Sequence, residues 1–347
     1  AYGGIEAVVA DLVNGLVARG HHVTLVAAGD HGTAAQRFVK TYDEPAAEKL
    51  GTPGPEAVHA ARAASLLDDL EVDLIHDHTL AGPLGATARD VPTVVTAHGP
   101  EEGEIGDFHR ALGGTIHLVA ISQAQRALSP DLPWVGVVPN GIPVDTYPFR
   151  EHKEGFVLFL GRFNEEKAPH LAIDVARAAG RRIVVAGKCS EPAEQEYFDR
   201  EVAPRLGADA EFVGEADAER KRGLLSRASC LLFPIQWEEP FGLVMVEAMA
   251  CGTPVVALRR GSVPEVVVDG VTGFVCDDVA TLADRVRAVE RLSAHDCRAH
   301  VESAFSVDAM ARGYERIYRE VLGERATAEP ETTGTGQVAS RRSKNDR

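Results

Sequence analysis

Short apolar runs alternate along the chain with segments of helical periodicity. In the first helical segment, 5–18, apolar side chains recur at helical spacing, and Gly20 ends the run. Further apolar runs predict strands at 22–28, 72–76, 93–97, 116–121, 135–139, 156–160, 182–186, 210–213, 230–233 and 254–258. Near-continuous apolar strands separated by helices are typical of parallel sheets covered on both faces, so the pattern predicts an α/β protein.

One segment breaks the alternation and predicts a domain boundary. Residues 140–155, "NGIPVDTYPFREHKEG", combine prolines, charges and a terminal glycine, as interdomain linkers do. We therefore expect a first domain over 1–147, a second over 148–305, and an amphipathic helix over 306–323. Residues 324–347 are polar and predict a disordered tail. Its "GTGQVA" stretch partly matches a dinucleotide fingerprint, but no strand precedes it, so we expect no site there.

Composition limits the classes of partner. With 347 residues and 45% hydrophobic content, the chain can bury more than one core. A net charge of −16 argues against nucleic-acid binding, which needs a basic face. Basic clusters such as 220–222 lie among acids and are predicted to be solvated surface.

Cysteine usage and hydropathy indicate a cytoplasmic protein. The five cysteines are scattered without a CxxC pair, which suits a reducing compartment and provides neither a disulfide framework nor a zinc cage. No stretch approaches the roughly 20 apolar residues of a membrane span. The first helix lacks a basic face, so it carries no membrane-docking signature, although a lipid acceptor and a peripheral membrane contact stay compatible with the sequence.

Chemically capable side chains collect where predicted strands end. These residues are His76, Asp77 and His78; His98; Gly161 and Arg162; Gly187 and Lys188; and Glu239. In open α/β sheets, ligands bind outside the carboxyl ends of the strands. Because both predicted lobes have polar strand ends, we expect a ligand in the cleft between them.

Residues 238–257, "EEPFGLVMVEAMACGTPVVA", place two carboxylates around an apolar helix start. The first turn of a helix that begins near Phe241 and Gly242 is a ready anion site, and a glycine lets the ligand approach the backbone. Glu247 lies roughly 7 Å along the helix axis, too far in to cap it. It could accept hydrogen bonds from ligand hydroxyls, so that its partner arrives with the ligand, and Glu239 could do likewise on the other side. An anion flanked by two hydroxyl-bearing groups describes a sugar, a diphosphate and a ribose.

The segment "GRFNEEK" supplies matching cations. Arg162 offers a planar fork to a phosphate, and Lys167 offers a point charge. Both follow the first predicted strand of the second lobe. Together they could neutralise a leaving diphosphate.

These segments resemble the family-4 retaining glycosyltransferases, which have the two-lobed GT-B fold. "EEPFGLVMVE" is similar to the E-x7-E signature of that family, and "GRFNEEK" is similar to its G-R-x4-K segment. "EAMACGTPVVA" and "GSVPEVVVDGVTGF" resemble its helix–turn–strand and its PEVV-DG-x-G-F run. In the first lobe, "YGGIE" resembles the glycine-rich loop, "VVTAHG" places the active-site histidine on His98, and "VVPNGI" resembles the stretch before the linker. The resemblance covers nearly all of residues 1–323.

The resemblance implies two Rossmann-like lobes that face each other across a cleft, with the C-terminal helix crossing back to the first lobe. A strand that precedes the glycine loop in the family, central in the first sheet, is expected to be missing here. The resemblance also implies a nucleoside-diphosphate sugar as donor, a hydroxyl acceptor, and retention of anomeric configuration. Neither a metal nor another cofactor is implied.

Residue roles also follow from the resemblance. Glu239 would contact the sugar hydroxyls, and Glu247 would contact the ribose hydroxyls. Arg162 and Lys167 would bind the diphosphate. The implied catalytic residues are His98, Glu239, Arg162 and Lys167. The implied donor-binding positions are Gly3, Gly4, Gly161, Arg162, Lys167, Glu239, Phe241, Gly242, Leu243, Val244 and Glu247. In the front-face mechanism usual for the family, a donor phosphate oxygen takes the acceptor proton.

Three positions depart from the family pattern. Ile235 stands where a serine is common, Ser262 where a second glycine is common, and Ala168 where a glycine follows the lysine. No charged site residue is lost. The donor base, the sugar and the acceptor are not predicted by these motifs.

Two other functions are compatible with the sequence. Strand alternation points His76 and His78 to the same side, and with His98 they could form the zinc site of a metal-dependent hydrolase. A non-catalytic module that binds nucleotide sugars is the other alternative. Trp237 and the acidic loop 99–114 could contact an acceptor or could be plain surface.

Overall fold

The structure, a computed structural model, describes residues 4–44, 53–67 and 70–323. Gly3 of the glycine-rich loop and the expected tail with its "GTGQVA" stretch lie outside these ranges. Within them, none of the helices combines the length and apolar character that crossing a bilayer requires.

The first lobe contains a four-stranded and a two-stranded sheet, both parallel. Its strands are β1 Thr24–Ala28, β2 Arg37–Tyr42, β3 Ile75–Asp77, β4 Thr93–Thr96, β5 His117–Ala120 and β6 Trp134–Val137. The smaller sheet pairs β1 with β2, and the larger one has the order β3-β4-β5-β6. Its helices are α1 Gly4–Ala18, α2 Pro53–Leu67, α3 Gly103–Leu112 and α4 Gln123–Leu128.

The second lobe is one six-stranded parallel sheet with helices on both faces. Its strands are β7 Val157–Leu160, β8 Ile183–Ala186, β9 Ala210–Phe212, β10 Cys230–Phe233, β11 Val255–Leu258 and β12 Gly273–Cys276. The order β12-β11-β10-β7-β8-β9 is that of a doubly wound dinucleotide-binding sheet. Its helices are α5 Pro169–Ala178, α6 Pro192–Tyr197, α7 Ala218–Arg227, α8 Leu243–Ala250, α9 Val263–Val266, α10 Val279–Ala288 and α11 Ala294–Ala304.

The last described helix, α12 Val307–Val321, returns to the first lobe. Met310, Tyr314 and Ile317 pack against the apolar face of α1 and against the first sheet. The helices approach closely at Gly15, where a Cβ atom would lie 2.7 Å from Val307 Cγ1. The predicted return of the C-terminal helix is therefore confirmed.

The α/β fold class is confirmed, and the predicted strands all form. Two strands were not predicted, β2 and β12. The expectation of a loop over 99–114 is wrong, because residues 103–112 form α3. This segment is helical because Phe108 and Leu112 pack against the core under the first sheet, which outweighs its poor helix propensity.

Candidate functional site

Two helix N-termini meet between the lobes. Gly4 begins α1 of the first lobe, and a Cβ atom placed on it would lie 3.4 Å from Leu243 Cδ1 at the start of α8. The residue before α8 is Gly242, whose φ of 75° is left-handed and costs other residues energy. The positive ends of two helix dipoles therefore lie near each other, which suits an anion.

Lys167 and Glu239 form an ion pair beside this place. The Lys167 ammonium contacts Glu239 Oε2, which also accepts a hydrogen bond of 3.0 Å from Trp237 Nε1. The same ammonium lies 4.9 Å from the centre of the Trp237 ring. The Glu239 loop is fixed by Ser262, whose amide donates to the Glu239 carbonyl at 2.9 Å. The two charges predicted for different parts of the donor are therefore partners of each other in the structure.

Glu247 is held by two side chains from distant parts of the chain. Its Oε1 accepts hydrogen bonds from the Tyr147 hydroxyl at 2.9 Å and from Lys221 Nζ at 2.6 Å. Burial and the neighbouring carboxylate raise the pKa of Tyr147, which keeps its hydroxyl a donor. The expectation that the partner of Glu247 arrives only with a ligand is thus incomplete.

The basic cluster 220–222 is not the solvated surface that its composition predicted. Arg220 is exposed, but Lys221 binds Glu247 and the Arg222 guanidinium lies 5.1 Å from the centre of the Tyr147 ring. The cluster differs from the prediction because α7 packs beside α8, which turns one of its faces toward the cleft.

Arg162 forms ion pairs with two acids at the start of α6. Its Nε donates to Glu194 Oε1 at 2.7 Å, and its Nη2 lies 2.9 Å from Glu191 Oε1. Burial raises the pKa of Glu194, but hydrogen bonds from Arg162 and from two backbone amides bring it below its usual value. Glu194 is therefore a buried carboxylate that stays ionised.

A shallow pocket at the carboxyl ends of β7 and β8 joins these residues. Its lining includes Gly161, Arg162, Gly187, Lys188 and Lys221. At Gly187 the two strand-end loops touch, because a Cβ atom there would lie 1.8 Å from the Gly161 carbonyl oxygen. The pocket therefore combines strand-end backbone with three cations, and Leu160, Ala216 and the acid Glu215 complete its lining.

Three histidines form a hydrogen-bonded cluster in the first lobe, covered by α12. His78 Nδ1 lies 3.0 Å from His98 Nε2, and the His76 ring contacts that of His78. His76 Nδ1 is 2.7 Å from the Tyr318 hydroxyl, and His76 Nε2 is 2.7 Å from Thr96 Oγ1. Burial lowers the pKa of His76 to about 3, of His98 to about 4, and of His78 well below its usual value. All three rings are therefore neutral at pH 7.

The cluster does not match a zinc site. Both ring nitrogens of His76 are occupied by hydroxyls, and His78 and His98 bind each other. Over the described ranges, no group of three or more histidine, cysteine or acidic side chains is placed to hold a metal ion. The metal-dependent hydrolase is not favoured.

The remaining predicted positions support the site through the backbone. Phe241 is buried in the core of the second lobe, and Val244 packs against that core. Ala168, which precedes α5, has a φ of 52°, a left-handed conformation that explains why glycine suits this position. The sequence did not predict four residues that contact the predicted site residues: Tyr147 and Lys221 at Glu247, and Glu191 and Glu194 at Arg162.

Comparison with known proteins gives the same result for both lobes. The model described as "Glycosyltransferase Family 4" matches residues 2–146, and the model "Glycosyl transferases group 1" matches residues 148–304. A glycogen synthase of Mycobacterium tuberculosis is 30% identical over 312 residues, covering 78% of this chain and 71% of that protein.

Two solved structures share the fold. AviGT4, a glycosyltransferase involved in avilamycin A biosynthesis, superposes with a TM-score of 0.69 at 29% identity, covering 93% of this chain and 91% of that one. HepE of Anabaena, solved in complex with UDP and glucose, has a TM-score of 0.72 at 19% identity, covering 92% and 96%. Both lobes and their arrangement are therefore those of known glycosyltransferases.

Proposed function

The chain belongs to the group 1 and family 4 glycosyltransferases, and from this premise we propose that it moves a sugar from a nucleoside-diphosphate sugar to a hydroxyl acceptor with retention of configuration. The observation that supports this donor most is the meeting of the α1 and α8 N-termini at Gly4 and Leu243. The ion pair of Lys167 and Glu239 lies beside Gly242 and supports the same proposal.

The proposed diphosphate site combines helix dipoles with side-chain cations. We propose that backbone groups at Gly4, Gly242 and Leu243 bind the phosphates and that Arg162 and Lys167 add two positive charges. We propose that the backbone of Gly161, Phe241 and Val244 forms the neighbouring wall of this diphosphate site. Because these groups can stabilise the leaving diphosphate, we propose that transfer needs no metal ion and no cofactor.

The two glutamates are proposed to hold the ends of the donor. Glu247 accepts hydrogen bonds from the ribose hydroxyls, and Glu239 accepts them from the sugar hydroxyls. Glu239 is paired with Lys167 in the structure. A diphosphate would attract the Lys167 ammonium, which leaves Glu239 held by Trp237 alone of these two partners and able to accept from hydroxyls.

Retention follows in the proposed front-face step. The bond between the anomeric carbon and the phosphate oxygen breaks, and the acceptor oxygen attacks on the same face. The acceptor proton goes to the departing phosphate oxygen. His98, neutral because burial lowers its pKa to about 4, is proposed to hydrogen-bond the sugar without adding charge. We also propose that the protein acts in the cytoplasm, because its five cysteines are free thiols that a reducing compartment keeps reduced.

A thermal-shift panel tests the donor site. The protein is heated with UDP, GDP, ADP, NAD or zinc, each with and without a chelator. We expect one nucleoside diphosphate, at about 100 times its dissociation constant, to stabilise the protein by about 2.7 kcal/mol in both buffers.

The other outcomes contradict the proposal. A shift with zinc alone would restore the hydrolase, and a nucleotide shift that the chelator removes would contradict metal independence. If one nucleoside diphosphate stabilises the protein, the sugar nucleotide with the same base is used in a transfer assay. Binding with no transfer to any hydroxyl acceptor, including water, would favour the non-catalytic module.

A further inference from the structure

Glu194 connects the start of α6 to Arg162 through both of its carboxylate oxygens. Oε2 accepts hydrogen bonds from the backbone amides of Ser190 at 3.1 Å and Glu191 at 3.2 Å. Oε1 accepts the 2.7 Å bond from Arg162 Nε. One oxygen is thus fixed by the helix start and the other is directed at the arginine, so the carboxylate cannot turn without losing both.

Both ends of this connection are anchored in the core. Phe163, the residue after Arg162, is fully buried, and its ring packs edge-on against Phe198 with centroids 5.5 Å apart. Phe198 begins the π-helical turn that continues α6. The loop that carries Arg162 and the helix that carries Glu194 are therefore held at a fixed separation.

The two acids on Arg162 differ sharply in burial. The Glu194 side chain is 3% exposed, whereas the Glu191 side chain is 59% exposed. A solvated ion pair is weak and is easily exchanged for another anion, but a charge-assisted hydrogen bond to a buried carboxylate that backbone amides also hold is not. Glu191 can therefore be displaced by a phosphate while Glu194 stays.

We propose that Glu194 is a positioning residue of the donor site, which fixes the Arg162 guanidinium by its Nε edge and leaves the terminal nitrogens for the donor diphosphate. Glu191 covers one of those nitrogens until the donor replaces it. This inference rests on the proposed role of Arg162. Glu194 lies in the first turn of a helix, 32 residues from Arg162 in sequence. Its position in the sequence alone does not indicate this function.

The test is a double-mutant cycle on nucleotide binding, measured by calorimetry with whichever of UDP, GDP or ADP stabilises the parent. Glu194→Gln keeps a residue that supports the helix start but removes the charge that holds Arg162. We expect it to weaken diphosphate binding about tenfold and to raise the donor KM more than it lowers kcat. In an Arg162→Gln background the same change should alter affinity less than about twofold, because the residue it acts through is gone.

Controls separate positioning from general damage. Glu196→Gln removes an exposed acid of the same helix and should bind like the parent. Glu191→Gln should bind the diphosphate as tightly as the parent or a few-fold more tightly, since it removes a competing anion. The nucleoside without phosphates should bind Glu194→Gln and the parent equally.

The outcomes divide cleanly. A tenfold loss that persists in the Arg162→Gln background, or a parent-like affinity of Glu194→Gln, overturns the inference and leaves the function intact. A parent-like diphosphate affinity of Arg162→Gln itself overturns the proposed phosphate role of that residue as well. If Glu194→Gln does not fold, Glu194→Asp replaces it. That variant keeps the charge but shortens the reach, and its several-fold loss should also vanish without Arg162.

Discussion

Glu247 is 7% exposed inside an apolar helix, where Tyr147 and Lys221 both donate hydrogen bonds to its carboxylate. Glu239 with Lys167, and Glu194 with Arg162, repeat the arrangement. Each of these charged groups therefore has a partner within the protein itself. We expect donor binding to exchange the partners of Glu247 and Glu239, whereas Glu194 stays on Arg162, so that no bare charge is exposed.

Replacing Glu247 with Gln tests this exchange. We expect nucleotide affinity to fall about tenfold, because a neutral amide is a weaker acceptor for hydroxyls than a carboxylate. Stability at pH 7 should fall by about 2 kcal/mol, because Lys221 loses its ionised partner. Calorimetry and urea unfolding measure the two effects, with the exposed Glu219→Gln of α7 as the control. Unchanged nucleotide affinity would show that Glu247 is only a structural ion pair.

The sequence predicts both members of the pair Glu239 and Lys167, but only one member of each of the other two pairs. Glu247 and Arg162 are noticeable because charges in or beside apolar segments are unusual. Their partners are ordinary surface types in local context: Lys221 belongs to a basic run, and Glu194 to a polar helix start. What makes them site residues is tertiary packing that brings positions 26 to 100 residues apart into contact, which no local pattern contains.

At the scale of elements, α12 is joined to the first lobe by charge as well as by packing. Glu315 accepts hydrogen bonds from Arg19 at 2.8 Å and from His21 at 3.0 Å, across the end of α1. The Arg19 hydrogen bond is the main reason that the pKa of Glu315 falls from 4.5 to about 2. This lowered pKa makes the attachment of α12 sensitive to acid.

Glu315→Gln should therefore destabilise the protein in a pH-dependent way. A carboxylate whose pKa is lower in the folded protein than in the unfolded chain stabilises the fold. This stabilisation is complete above the unfolded pKa of about 4.5 and is lost as the pH falls through the folded pKa of about 2. We expect a loss of about 2–3 kcal/mol at pH 7 and of about 1 kcal/mol at pH 3, since the folded carboxylate is still mostly ionised one pH unit above its pKa. Urea unfolding at both pH values checks this, with the exposed Glu320→Gln of α12 as control. Equal differences at both pH values would contradict the role of the charge.

Elements with strong periodicity were predicted and those stabilised by context were not. The buried strands β7, β8 and β10 are continuous apolar runs, and their type is evident from the sequence. In contrast, β2 carries two basic residues and pairs only with β1 among the described strands, so its sequence lacks the apolar run of a central strand. The short α3 forms through contacts with the sheet, which the sequence of residues 103–112 does not encode locally.

At the scale of the whole molecule, a carboxylate of the second lobe caps a helix of the first. Glu265 accepts hydrogen bonds from the backbone amides of Gln123 at 2.8 Å and Ala124 at 2.7 Å, the first residues of α4. Ser122 completes the cap by accepting from the Gln125 amide. This contact joins the lobes at a point separate from the linker and from α12.

Glu265→Gln should loosen the arrangement of the lobes. A carboxylate at a helix start contributes about 1 kcal/mol, enough to change the balance between lobe orientations severalfold. We expect a larger radius of gyration by X-ray scattering in the absence of nucleotide, and a smaller difference from the parent once nucleotide is bound. Glu302→Gln, an exposed acid of the same lobe, serves as the control. Identical scattering of parent and Glu265→Gln would show that the cap does not restrain the lobes.

The return of α12 also reverses the order in which the lobes can be completed on the ribosome. The apolar face of α1, with Val8, Leu12 and Leu16, lacks its α12 neighbours until Met310 to Ile317 have been synthesised. At about 5–20 residues per second, that interval of roughly 300 residues lasts about 15–60 s. The second lobe is contiguous in sequence from β7 to α11 and can complete its core earlier. We therefore expect the nascent chain to fold its second lobe first, while the first lobe depends on chaperones or on transient contacts until translation ends.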